Sequence, residues 1–148
     1  MRTDSTRASS ATFAANRAQG AVRFGVHLQD GVTRRGILHE SGSLRVRFPS
    51  PEAEGLSGVF VNTAGGIAGG DRFDIDIAAA EGSRLTLTTA AAEKVYRAAG
   101  PAAQLNIALK AESGAHLSWL PQETILFDRA RIVRRIDIDL AADASLLL

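Results

Sequence analysis

The chain has no cysteine in 148 residues. That excludes disulfides, thiolate metal sites, iron–sulfur clusters and cysteine nucleophiles. It also fits a cytoplasmic protein that does not depend on an oxidising compartment. Aromatic residues make up only 5%. They are not interleaved with basic clusters, so no nucleic-acid partner is expected. No apolar stretch approaches the roughly 18 residues that a membrane span needs, which excludes a membrane partner of that kind. The start of the chain lacks the apolar core of a secretory signal. No G-x-S-x-G elbow is present to carry a hydrolase nucleophile.

What remains is 45% hydrophobic and 22% charged, the composition of one globular domain. A chain of this length buries roughly 70% of its unfolded surface. The net charge of +1 is unevenly split. Residues 1–50 hold eight arginines against three acids, and residues 51–148 hold nine bases against thirteen acids. Residues 1–20 are rich in Ser, Thr, Ala and Arg, somewhat like a transit peptide. They read more simply as a disordered tail ahead of a domain spanning 21–148.

The most unusual segment is Asn62 to Asp71, NTAGGIAGGD. Each glycine costs a helix about 1 kcal/mol relative to alanine, so this block is not helical. It lies between the apolar Val59-Phe60-Val61 and the alternating Phe73-Asp74-Ile75-Asp76-Ile77, and so reads as a strand–loop–strand connection. A phosphate-binding loop would need a Lys after its last glycine and a helix beyond; neither is present.

Short alternating runs recur along the chain: 21–28, 44–48, 56–61, 73–77, 85–89, 105–109, 117–120 and 136–140. Alanine density predicts one short helix near 90–99, stopped by Gly100-Pro101. Segment 74–87 superposes on 106–119 at an offset of 32, matching Ile75 with Ile107, Gly82 with Gly114 and Leu85 with Leu117. A third copy, 137–148, sets Ile138 and Leu146 in those places with a shorter turn. Each copy reads as a hairpin, and one hairpin is not stable alone, so the copies should share a core. The expected fold is predominantly all-β: stacked β-hairpins in a layered or β-helix-like architecture. The apolar end at Leu146-Leu147-Leu148 predicts a domain incomplete at its C-terminus.

Two further blocks concentrate polar residues in apolar surroundings. In TTAAAEKVYRAAGP, 88–101, Glu93 and Arg97 stand i,i+4 and would pair on a helix face. In WLPQETILFD, 119–128, Gln122, Glu123 and Asp128 surround Ile125-Leu126-Phe127, a strand entered from a turn at Pro121.

Taken together, NTAGGIAGGD, LTTAAAEKVYR with its following GP, and WLPQETILFD resemble the UreD (UreH) family of urease accessory proteins. The resemblance spans about residues 20–148; Ala91 departs from the family's usual Gln. It implies a non-enzymatic scaffold that joins apo-urease, a second accessory protein and a GTPase, so that nickel reaches the urease centre. No tightly bound cofactor is implied, only transient nickel. Nickel suits imidazole and carboxylate ligands. His27, His39 and His116 share no ligand-like spacing, and His116 has the parity of a solvent-facing residue. Asp71, Glu93 and Glu123 are therefore the candidate metal carboxylates. Asn62, Lys94, Tyr96, Arg97, Gln122 and Asp128 are the candidate partner contacts. The alternative is a generic β-rich interaction module with no role in metal delivery.

Overall fold

A computed structural model describes residues 16–49 and 55–148. All of the elements it forms there are strands. In chain order they begin with β1 (Gln19–Gln29), β2 (Val32–Gly42), β3 (Leu44–Arg47) and β4 (Leu56–Asn62). Next come β5 (Arg72–Ala79), β6 (Arg84–Thr89), β7 (Glu93–Val95) and β8 (Ala103–Ala111). The last are β9 (His116–Leu120), β10 (Thr124–Leu126), β11 (Ile132–Leu140) and β12 (Ser145–Leu147).

The chain winds in coils. One sheet has the order β11-β8-β5-β1-β2 and the other β12-β9-β6-β4-β3. Within each, successive coils pair in parallel, and only β2 and β3 run antiparallel, at one edge. A third, short side is made by β7 and β10, also parallel. Residues at equivalent positions therefore stack. Ile75 lies beside Ile107 and Ile107 beside Ile136; Leu85 lies beside Leu117 and Leu117 beside Leu146. The inward parity of the coils lines the space between the sheets, with Ile77, Leu87, Leu109 and Leu117 fully buried. Phe24, Phe48, Phe60 and Trp119 are linked in and against this core by edge and tilted ring contacts.

Several expectations need correction. The repeat is real, but its copies are not hairpins: β5 and β6 belong to different sheets, as do β8 and β9. The turns at Gly82 and Gly114, with φ of +67° and +64°, are corners that carry the chain from one sheet to the other. Their amides bond the neighbouring coil, Gly82 N to Ser113 O at 2.9 Å and His116 N to Ser83 O at 2.8 Å. Alternation around a glycine turn is the same signal for a hairpin and for a corner, and only the pairing partner separates them. In the third copy Ile138 stacks on Leu109 rather than Ile107. The corner keeps its length, and the shortening falls before β11 instead.

No helix forms among the described residues, so none is long and apolar enough to cross a membrane. The segment read as helical holds β7, because both of its neighbours claim its backbone groups. Helix propensity, worth tenths of a kcal/mol per residue, loses to that ladder. With no helix, Glu93 and Arg97 do not pair. Strand β2 was not anticipated, although Asp30-Gly31 before it is the strongest short hairpin signal. Both residues take positive φ, 52° and 75°. Of the predicted tail, residues 1–15 lie outside the described residues, and β1 already begins at Gln19.

Candidate functional site

The coil period brings the three sequence blocks onto one side. Ile67, in the middle of the glycine block, makes a parallel bridge to Val95. Its amide donates to Lys94 O at 2.7 Å, and Tyr96 N donates to Ile67 O at 2.8 Å. β7 then pairs with β10, setting Thr124 beside Glu93, Ile125 beside Lys94 and Leu126 beside Val95. Phe127 N continues the ladder to Val95 O at 3.0 Å. Blocks 62–71, 88–101 and 119–128 thus become three layers of the third side.

Close approach explains the glycines at two positions. At Gly66, with φ +144°, a Cβ would stand 2.5 Å from Tyr96 Cε2 and 2.9 Å from Lys94 O. At Gly69 it would stand 2.6 Å from Ala98 Cβ and 2.8 Å from Pro101 O. The loop is held by its flanking polar residues. Asn62 accepts from Ala64 N at 3.0 Å and donates to Gly66 O at 3.0 Å, the local turn-forming habit of Asn. Asp71 is buried and accepts from Ala18 N at 2.9 Å and Ala68 N at 2.7 Å. Those two bonds give Asp71 a structural task, closing the loop onto the start of β1.

Beneath the loop lies a cavity of about 410 Å³ between the sheets. Its walls are apolar, among them Phe60, Phe73, Ile107 and Trp119, with Asn62, Glu93, Gln122, Thr124 and Arg134 as polar members. Burial raises the pKa of Glu93 above the ordinary carboxylate value, opposed by a hydrogen bond from Asn62 and the charge of Arg134. The Asn62 amide reaches the Glu93 carboxylate at 3.4 Å. Arg134 was not singled out in the sequence, yet it occupies an inward position, stacked beside Leu105, which itself lies beside Phe73. It donates to Thr124 Oγ1 at 2.9 Å. A charge at the parity of Ile136 and Ile138 was a readable signal.

The remaining candidates spread around this side. Lys94, Tyr96 and Arg97 are exposed, and the Tyr96 hydroxyl donates to Gly65 O at 3.1 Å. The Gln122 backbone donates to Thr89 Oγ1 at 2.9 Å. Glu123 is exposed, and its carbonyl accepts from Glu93 N at 2.8 Å. Asp128 is exposed and loosely paired with Arg129 at 3.8 Å. Asp71, Glu93 and Glu123 do not converge. Among the described residues no three of His, Asp or Glu stand together as metal ligands. His116 is exposed, as its parity indicated, and bonds Ser145 Oγ through Nδ1. The arrangement offers a surface and an apolar cavity with one perturbed carboxylate.

Residues 18–148 match the family described as UreD urease accessory protein. The chain is 80% identical over 139 residues to the urease accessory protein UreD of Bradyrhizobium diazoefficiens, covering 94% of this chain and 50% of that one. It is 74% identical over its full 148 residues to the urease accessory protein UreD of Rhodopseudomonas palustris strain HaA2, covering 53% of that protein. The chain spans about half the length of the curated relatives it matches.

Proposed function

The chain belongs to the UreD urease accessory protein family, and from that premise we propose that it serves urease maturation as a non-catalytic scaffold. In this reading it bridges apo-urease, a second accessory protein and a GTPase in the cytoplasm while nickel is delivered. Nickel is cargo that passes, and the GTPase brings the nucleotide. The observation that carries the reading is the stacking of the three polar blocks on one side of the coil. Side chains there are exposed and varied in chemistry, and the glycine block beneath them is shaped for its own backbone contacts. Such a face suits recognition of other proteins, since binding residues concentrate on loops set by a rigid scaffold.

Co-expression tests this. The tagged chain, produced with its cognate apo-urease and accessory proteins, should retain at least one of them through purification. Retention of none would refute the scaffold role. Urease activity restored in a deletion strain then reports on nickel delivery, which a generic interaction module would not support.

A further inference from the structure

The large sheets carry exposed polar side chains that pair with one another, although Ile37, Val133 and Leu147 are exposed on them as well. Arg23 meets Asp76 and Arg72 meets Asp74, each at 3.0 Å, while Arg135 meets Asp137 at 2.8 Å. On the outer face of the third side the exposed apolar residues lie together. Val95 is buried, so the alternating register turns Lys94 and Tyr96 outward, with Ile125 of β10 and Phe127 just after it beside them. Tyr96, Ile125 and Phe127 are 39%, 45% and 46% exposed. The rings of Tyr96 and Phe127 lie 5.2 Å apart, and the Tyr96 hydroxyl is tied to Gly65 O. This is a contiguous apolar strip with its rotamers already restrained, the kind of surface that marks an interaction site.

Its surroundings carry unsatisfied positive charge. Among the described residues no hydrogen bond or ion pair engages the side chains of Lys94 and Arg97, unlike those of Arg23, Arg72 and Arg135. Of the nearby acids, Asp128 just after Phe127 is paired with Arg129 at 3.8 Å, and Glu123 precedes β10 at the end away from Phe127. We infer that this strip docks an apolar segment of a protein partner that carries carboxylates beside its large side chains. The apolar residues would seat against Tyr96, Ile125 and Phe127, and the carboxylates would meet Lys94 and Arg97.

The inference rests on the scaffold reading and names the chemistry of the partner segment. The test measures binding of the full chain to each cognate partner, apo-urease and the accessory proteins, as a function of salt. Phe127→Ala, Ile125→Asp and the double change Lys94→Glu with Arg97→Glu are compared with Thr86→Ala, an exposed residue of β6 in a large sheet. Circular dichroism melting confirms that each variant is folded. The expected result is a loss of about tenfold or more for the strip variants with one partner, and none for Thr86→Ala. Charge reversal should also flatten the salt dependence. A photo-crosslinker at position 125 should capture a peptide with Asp or Glu within about four residues of a large apolar residue, one helical turn or a short strand away.

Wild-type binding that every strip variant retains would overturn this inference and leave the scaffold standing. A captured peptide without acids would overturn it too. If the wild-type chain binds no cognate partner, the scaffold reading fails and this inference falls with it.

Discussion

Placing a methyl group at Gly66 probes the third side at its tightest contact. Alanine there meets two separate penalties. The backbone holds φ at +144°, a region nearly reserved for glycine, at a cost of about 1–3 kcal/mol. The new Cβ would lie 2.5 Å from the Tyr96 ring and 2.9 Å from Lys94 O, so ring and backbone must both yield. Displacing the ring loses the 3.1 Å bond from its hydroxyl to Gly65 O, worth about 1 kcal/mol. It also disturbs the stack on Phe127, worth about 0.5–1.5 kcal/mol. Because these losses overlap, about 2–4 kcal/mol is expected, a melting shift on the order of 10 °C for a chain of this size. Gly65→Ala is the internal control: its φ is also positive, at +77°, but nothing lies within 4 Å of the added Cβ. It should cost only about 1–2 kcal/mol. Urea unfolding of both variants, each repeated with Tyr96→Ala, separates strain from clash. Removing the ring should relieve part of the Gly66→Ala penalty and none of the Gly65→Ala penalty. Equal penalties for the two glycines, or no relief in the double variant, would refute this account.

Asp71→Ala strips two part-buried amides of their buried acceptor and should cost about 3 kcal/mol in denaturant unfolding; a loss under about 1 kcal/mol would deny it the loop-closing role. Glu93 should make stability pH-dependent with an inverted sign. Its folded pKa is raised above the 4.5 of the unfolded chain, so its contribution is unfavourable at neutral pH. That penalty fades as pH falls from the raised value toward 4.5. The Glu93→Gln variant should therefore be at least as stable as wild type at pH 7 and lose that advantage near pH 4.5, checked by urea midpoints across that range. Arg97→Ala and Glu123→Ala, both exposed, should change stability by no more than about 0.5 kcal/mol while reducing urease activation in a deletion strain; losses matched by several kcal/mol of instability would make them structural.

The sequence by itself determined the β character, the coil period and the family. Ile75, Ile107, Leu85 and Leu117 show why: side chains stacked in successive coils face the same apolar layer, so the period is written in residue type. The blocks at 62–71, 88–101 and 119–128 were equally visible, because they interrupt that layer with glycine and charge. Tertiary structure alone decided what those features build. Whether Gly82 turns a hairpin or a corner depends on which strand accepts the flanking amides, and alternation is blind to the partner. Residues 93–95 became a strand because the backbones of Ile67 and β10 supplied its hydrogen bonds from some thirty residues away. Asp71 and Glu93 look alike as acids in polar blocks, yet one is spent on two backbone amides and the other faces a cavity. Sequence carries the side-chain periodicity, whereas hydrogen-bond partners and burial arise only when distant segments meet.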